Sequence, residues 1–366
     1  MSAGSSAGRD ATPVVPDRAG RASVISPAER ARAAALLERL APGATRAEAP
    51  ILLPAGPLLD LYGEDIRLRA FTTDDPLRGE AMLRPDFTVP LAQAHMERGA
   101  GAARYVYAGE VFRRQEADAA QPREYLQVGL ESLGAPDPAA ADADVFAALA
   151  GALAPWDAAA EAGDLGLLIA AVEALDTTPA RRAALRRHVW RPRRFRRLMD
   201  RFTGRAPRAL PDPASDAPLL GLRGAGEIAA RHAALREDAA APPIPAAQAQ
   251  AVEALLDLAA PMPEALAALR CLAAPLPGLQ GALGRAERRA AALAARGVDV
   301  AALPFAPAKG RSAMEYYDGF TFTWRLQGAV VATGGRYDAL TARLGGGRGV
   351  PAVGGVVRPG RLGDGG

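Results

Sequence analysis

The chain has 366 residues, 49% of them hydrophobic, with 44 Lys and Arg against 41 Asp and Glu and one cysteine, Cys271. A lone cysteine excludes an internal disulfide and a cysteine-built metal cluster, and His95, His188 and His232 lack metal-ligand spacing. The net charge of +3 is too small to argue for nucleic acid as a partner, and no apolar run reaches the roughly 20 residues of a membrane span.

Residues 1–25 are small, polar and proline-containing, without the apolar centre of a signal peptide, and read as a disordered tail. Ser26-Pro27-Ala28-Glu29 is a capping box with proline at the first helical position and opens a helix to about Ala41. Pro50 to Tyr62 is apolar and broken by prolines. Arg67 to Phe71 and Ala81 to Leu83 are expected as strands about an Asp74-Asp75-Pro76 turn. Thr88-Val89-Pro90 starts a helix through Met96, with Asp86 and Thr88 placed to cap it.

Two β-prone runs follow, Tyr105 to Ala108 and Tyr125 to Leu133. They predict antiparallel strands joined by a polar loop over about Arg114 to Gln121. On the returning strand Gln127, Gly129 and Glu131 share one face, and Leu126, Val128 and Leu130 the other. Gln and Glu, with Arg113 on the strand opposite, make a poor core. A buried carboxylate needs a cationic or hydrogen-bonding partner. An incoming amino group would serve Glu131 and Gln127, and an incoming carboxylate or phosphate would serve Arg113, whose planar fork suits oxyanions. A solvated outer face is the alternative.

Asp137 to Ala154 reads as a helix, Leu165 to Ile169 as a short strand followed by a helix to Leu175. Thr178 to Arg208 is the most basic stretch, with Leu185, Val189, Phe195, Leu198 and Phe202 set among arginines. A solvated helical insert over residues 177–245 accounts for it, with RNA or a protein partner as competing uses. Helices are expected over Ala246–Leu258, Pro263–Leu272 and Leu279–Arg296, and a return to strand over Val300–Phe305. Glu315 to Trp324 and Ala329 to Thr333 form a hairpin-like pair, with Tyr316 and Tyr317 on opposite faces if the strand is regular.

These segments carry a resemblance. Arg84-Pro85-Asp86-Phe87-Thr88-Val89-Pro90, then the Tyr107 to Arg113 run (Y-x-G-x-V-F-R), then the Gln127 to Gly134 run (Q-x-G-x-E-x-x-G) resemble motif 2 of the class II aminoacyl-tRNA synthetase core in its histidyl form. Glu315 to Phe320 followed by Gly334-Gly335-Arg336-Tyr337-Asp338 is similar to the histidine-recognition segment of that family. Val350 to Arg361 resembles a worn motif 3, with Arg361 in the place of the ATP-stacking arginine. The resemblance implies an α/β fold of the α+β type over residues 26–366: a class II synthetase-like antiparallel sheet flanked by helices, with the helical insertion. It also implies a two-fold dimer, with Pro54 as the loose match to an interface proline.

The pattern is broken where activation chemistry would sit. Gln115 replaces a Glu that helps fix adenine, Ser312 stands where a second catalytic arginine is expected, and Gly360 breaks the acidic-arginine pair of motif 3. Losing one preorganised charge costs on the order of 3 kcal/mol of transition-state stabilisation. The chain also stops at Gly366, with no C-terminal anticodon-binding domain expected. This combination resembles the regulatory subunits of ATP phosphoribosyltransferase. That resemblance implies a cytoplasmic, non-catalytic protein without cofactor or metal, and with no membrane or tRNA partner. It would work with the short-form catalytic subunit, as a homodimer within a hetero-oligomer, and histidine would be its effector. The implied histidine-binding residues are Asp86, Thr88, Arg113, Gln127, Glu131, Tyr316 and Tyr317. The rivals are a truncated histidyl-tRNA synthetase and a paralogue for another amino acid.

Overall fold

The computed structural model describes residues 25–62, 64–115, 122–206, 224–311 and 316–363. Apart from Ile25, the tail expected over residues 1–25 lies outside them, as do Ser312 and Glu315. Helix α1 (Pro27–Leu40) opens at Ser26, whose hydroxyl accepts the Glu29 N–H at 3.1 Å. After β1 (Thr45–Arg46) come β2 (Leu52–Pro54), α2 (Ala55–Tyr62), β3 (Thr72–Asp75) and β4 (Gly79–Leu83). β2, β4 and β3 form a small antiparallel sheet. Arg67–Phe71, expected to be extended, is instead preceded and entered by a 3-10 turn over Glu64–Leu68. The N–H groups of Arg69 and Ala70 close on the Ile66 carbonyl at 2.9 and 2.8 Å, which turns Ile66 and Ala70 into the core.

Next come α3 (Thr88–Arg98), β5 (Ala103–Phe112), β6 (Glu124–Leu133), α4 (Pro138–Leu153), β7 (Ala159–Asp164) and α5 (Leu165–Glu173). Leu165–Ile169, read above as strand, is the first turn and a half of α5. Asp164 caps that helix, accepting the Gly166 N–H at 2.8 Å, and a short apolar run does not by itself separate strand from buried helix. Four helices follow, α6 (Pro179–Arg187), α7 (Pro192–Phe202), α8 (Ala225–Ala240) and α9 (Ala246–Asp257), the first three within residues 177–245. On α7, Phe195, Met199 and Phe202 are buried at helical spacing while Arg193, Arg194, Arg196 and Arg197 are exposed. The basic stretch is therefore an amphipathic helix.

The chain closes with β8 (Ala260–Pro261), α10 (Met262–Leu272), α11 (Leu279–Ala294), β9 (Pro304–Phe305), β10 (Phe320–Leu326), β11 (Ala329–Arg336), α12 (Asp338–Leu344) and β12 (Ala352–Val357). The strand expected from Val300 is only its last two residues. The large sheet has nine strands in the order β1-β5-β6-β12-β11-β10-β7-β9-β8. Its central ladders are antiparallel, and β1–β5 and β7–β9 pair parallel towards the edges.

The sheet has two different faces. Leu126, Val128 and Leu130 of β6 join the main core beneath α1 and α4. There Phe146 of α4 packs on alternate residues of β10, Phe320, Phe322 and Trp324. Across the sheet a smaller cluster gathers Phe87, Leu91, Tyr107, Val111 and Tyr125. That second face holds the polar residues singled out above.

Candidate functional site

β5 and β6 pair with Tyr105 opposite Glu131, Tyr107 opposite Gly129 and Gly109 opposite Gln127. β12 lies on the other side of β6, with Gly354 opposite Glu131 and Val356 opposite Gly129. Side chains alternate along a strand, so Gln127, Gly129 and Glu131 face the same way with Tyr107 and Gly354 as flanking neighbours. A Cβ on Gly129 would collide with the Tyr107 ring, and one on Gly354 with the Glu131 carboxylate. Glycine at these places lets a large ring and a carboxylate lie flat on the sheet.

Glu131 is 1% exposed. Three hydroxyls donate to it: Thr88 to Oε1 at 2.7 Å, Tyr107 to Oε1 at 3.1 Å and Tyr337 to Oε2 at 2.6 Å. Burial raises its pKa to about 7, against the three hydroxyl bonds, which favour the charged form; nearby Asp86 adds to the rise. Burial also pushes Tyr107 and Tyr337 well above the ordinary phenol value, reinforced by the neighbouring Glu131 charge.

Asp86 sits just before α3. Its Oδ1 accepts the Val89 N–H at 3.2 Å, capping the helix as the sequence suggested, while Oδ2 is buried and has no hydrogen-bond partner. Burial raises its pKa, opposed chiefly by the positive charge of Arg113. Gln127 is 1% exposed, and its Oε1 likewise accepts no hydrogen bond. Two buried acceptors without donors, on the same side of the sheet as a carboxyl held only by hydroxyls, are costly unless a donor is supplied. Arg113 lies one residue past β5, and its Nε donates to the Pro85 carbonyl at 2.8 Å.

The tyrosine pair closes the other side. Tyr316 and Tyr317 are not on a regular strand. They lie in the turn before β10 with ring centroids 4.8 Å apart, edge to face, and Tyr316 packs in the same way on Tyr337 at 5.8 Å. The Tyr317 ring is buried, and burial together with the Glu131 charge raises its pKa. Its carbonyl accepts the indole N–H of Trp190 at 3.0 Å, so the link between α6 and α7 touches this turn. Arg311, adjacent in sequence to Ser312, points away from the site: its Nε donates to Val189 O at 2.6 Å and its guanidinium lies 4.9 Å over Phe195.

The structure thus brings Asp86, Thr88, Arg113, Gln127, Glu131, Tyr316 and Tyr317 around one stretch of sheet. Sequence reasoning left out Tyr107 and Tyr337, although both lie in the quoted motifs. Tyr337 is fixed by its neighbour Arg336, which binds Asp142 at 2.7 Å and Asp338 at 2.9 Å. Arg361 is engaged by the backbone of β11: its Nη1 donates to Val330 O at 2.9 Å. Among the described residues no group of three His, Cys, Asp or Glu could hold a metal, and no helix is long and apolar enough to cross a membrane.

The sheet with its flanking helices is a class II synthetase-like core of the histidyl type. The histidyl-tRNA synthetase family model matches residues 27–201 and 227–362. An ATP phosphoribosyltransferase regulatory subunit from Agrobacterium fabrum is 33% identical over 362 residues, 87% of this chain and 92% of that protein. One from Allorhizobium ampelinum is 34% identical over 356 residues, 88% of this chain and 94% of that protein. A solved ATP phosphoribosyltransferase regulatory subunit/histidyl-tRNA synthetase from Bacillus halodurans superposes with a TM-score of 0.67 at 19% identity, covering 96% of this chain and 80% of that one. A histidine–tRNA ligase subunit from Alicyclobacillus acidocaldarius gives 0.59 at 22% identity, covering 97% and 96%. The chain belongs to the family of ATP phosphoribosyltransferase regulatory subunits.

Proposed function

We propose that this chain is a non-catalytic, cytoplasmic regulatory subunit that supports the short-form catalytic subunit of ATP phosphoribosyltransferase and carries histidine feedback to it. The observation behind the ligand reading is a pair of buried, donorless acceptors, Asp86 Oδ2 and Gln127 Oε1, on the same side of the sheet as a Glu131 carboxyl held only by hydroxyls. A ligand ammonium would supply donors to all three and draw Glu131 into its charged form. Thr88 would hold Glu131 in place, Arg113 would take the ligand carboxylate, and the Tyr316-Tyr317 turn would contact the imidazole. The partner would catalyse the attack of ATP on phosphoribosyl pyrophosphate, and this chain would donate no group to that reaction.

For histidine to inhibit, it must bind one arrangement of the complex better than another, and a difference of about 1–3 kcal/mol suffices. Within the complex this chain is expected to be a homodimer, with Pro54 at the two-fold contact. The test reconstitutes the chain with a short-form catalytic subunit and measures phosphoribosyl transfer with and without histidine. Activity should require both chains and fall with histidine, and Glu131→Ala or Gln127→Ala should abolish the fall while leaving the activity. Full activity of the catalytic subunit alone, or inhibition that survives both variants, refutes the proposal.

A further inference from the structure

One arginine near the cradle has no part in the reading above. β12 places Gly354 and Val356 opposite Glu131 and Gly129. By alternation, Arg358, two residues further, continues that row beside Gln127. Its backbone is tied down there: the N–H donates to Val331 O at 2.8 Å, and Pro359 follows and restricts its φ and ψ. Its half-buried guanidinium is favoured by the neighbouring Tyr125 hydroxyl on the same face of β6. Its charged neighbours are Arg113 and Arg361, and its charge also acts on the Tyr317 phenol. No carboxylate among the described residues pairs with it. Burial, with those two cations, holds its pKa below the usual arginine value.

A cation drawn out of water between two like charges, with only a phenol as partner, is unfavourable by itself. An anion between Arg358 and Arg113 removes the conflict and gives each planar fork an oxyanion to bind. The acceptors that would take an ammonium, Asp86 and Gln127, lie in the same cradle, so the two charges of a zwitterion find opposite partners within one small molecule.

We propose that Arg358 is the second cation of the cradle and, with Arg113, clamps the intact carboxylate of a free amino acid. This rests on the ligand reading given above and goes further in one respect. A carboxylate with both oxygens engaged by guanidinium groups suits recognition, and it opposes attack of either oxygen on a phosphorus. The ligand class is therefore a free α-amino acid, with amides, esters and the corresponding alcohol excluded.

The test titrates the full chain calorimetrically with L-histidine, L-histidinamide and L-histidinol, in wild type, Arg358→Met, Arg358→Lys and Tyr125→Phe. Wild type should prefer histidine over both analogues by on the order of 100-fold, and Arg358→Met should weaken histidine by about 10- to 100-fold while leaving histidinol unchanged. Arg358→Lys should recover part of the loss, since the charge returns without the fork. Unchanged histidine affinity and an unchanged histidine-to-histidinol ratio in Arg358→Met overturn the clamp and leave the ligand reading standing. If that variant melts early and loses both ligands alike, Tyr125→Phe decides: it keeps the guanidinium but frees it, and should lower histidine affinity alone. No change there overturns the clamp. Wild type that binds histidine and histidinol equally overturns it too, and wild type that binds none of the three ligands overturns the ligand reading with it.

Discussion

Replacing Glu131 by Gln should make the unliganded chain more stable at pH 8 while removing its response to an amino-acid ligand. The carboxyl has a pKa of about 7 in the folded chain against an ordinary 4.5, chiefly because it is 1% exposed. A carboxyl raised on folding contributes full stability below its unfolded pKa, and that contribution is lost as pH rises through the folded value. The gap between 4.5 and about 7 corresponds to about 3 kcal/mol, almost all of it gone by pH 8. Gln is near-isosteric and still accepts the Thr88 and Tyr107 hydroxyls that reach Oε1, and the Tyr337 hydroxyl can turn to accept from the new amide. Wild type and variant should therefore melt together at pH 4 and diverge as pH rises to 8, the variant ending several degrees higher. The assay is thermal unfolding at a series of pH values, with and without histidine. In wild type, ligand at about 100 times its Kd should add about 2.7 kcal/mol. In the variant it should add nothing. A wild-type melting temperature that rises from pH 5 to 8 relative to the variant, or a variant that still responds to histidine, would sink the assignment of Glu131 as the ammonium-binding carboxyl.

Other outcomes follow from particular contacts. Gly354→Ala puts a methyl into the Glu131 carboxylate and should cost about 1–3 kcal/mol of stability, with at least a tenfold loss of histidine affinity by calorimetry. Trp190→Phe removes the indole N–H from Tyr317 O. Urea denaturation should show a loss of about 1 kcal/mol, and histidine binding should weaken a few-fold as the tyrosine turn loosens. Arg289→Met strips Asp164 of its charged partner and Asp142 of one of two, at 2.6 and 2.7 Å in the buried network, and should cost about 3–5 kcal/mol in the same assay. Pyrophosphate exchange dependent on histidine and ATP should stay at background. Robust exchange by the pure chain would return it to the synthetases.

The hairpin that carries the site was legible because period-two alternation separates Leu126, Val128 and Leu130 from Gln127, Gly129 and Glu131 without help from the rest of the chain. Asp86 was legible because capping chemistry is local, whereas Thr88 is no cap: it stands inside α3 and its hydroxyl donates to Glu131. Leu165–Ile169 was misread because five apolar residues fit a buried strand and a buried helix equally, and only the Asp164 cap decides. Tyr337 lies past the end of β11, where alternation gives no direction; a buried ion pair from another helix, Arg336 with Asp142, aims it. Arg358 could be placed only once β12 was in register with β6. That pairing joins residues more than 200 apart, and no local pattern announces it.

At Gly129 and Gly354 the bed of the cradle contributes no side chain of its own, and the Tyr107 ring and the Glu131 carboxylate lie over those two glycines. The floor is thereby a phenol ring and a carboxylate resting directly on peptide planes, and any side chain added beneath them would displace them. If the cradle holds a ligand as proposed, drift towards a different small molecule would run through the side chains around that floor, Arg113, Arg358 and the Tyr316-Tyr317 turn. A descendant that exchanged those side chains would keep the same floor and read something else with it.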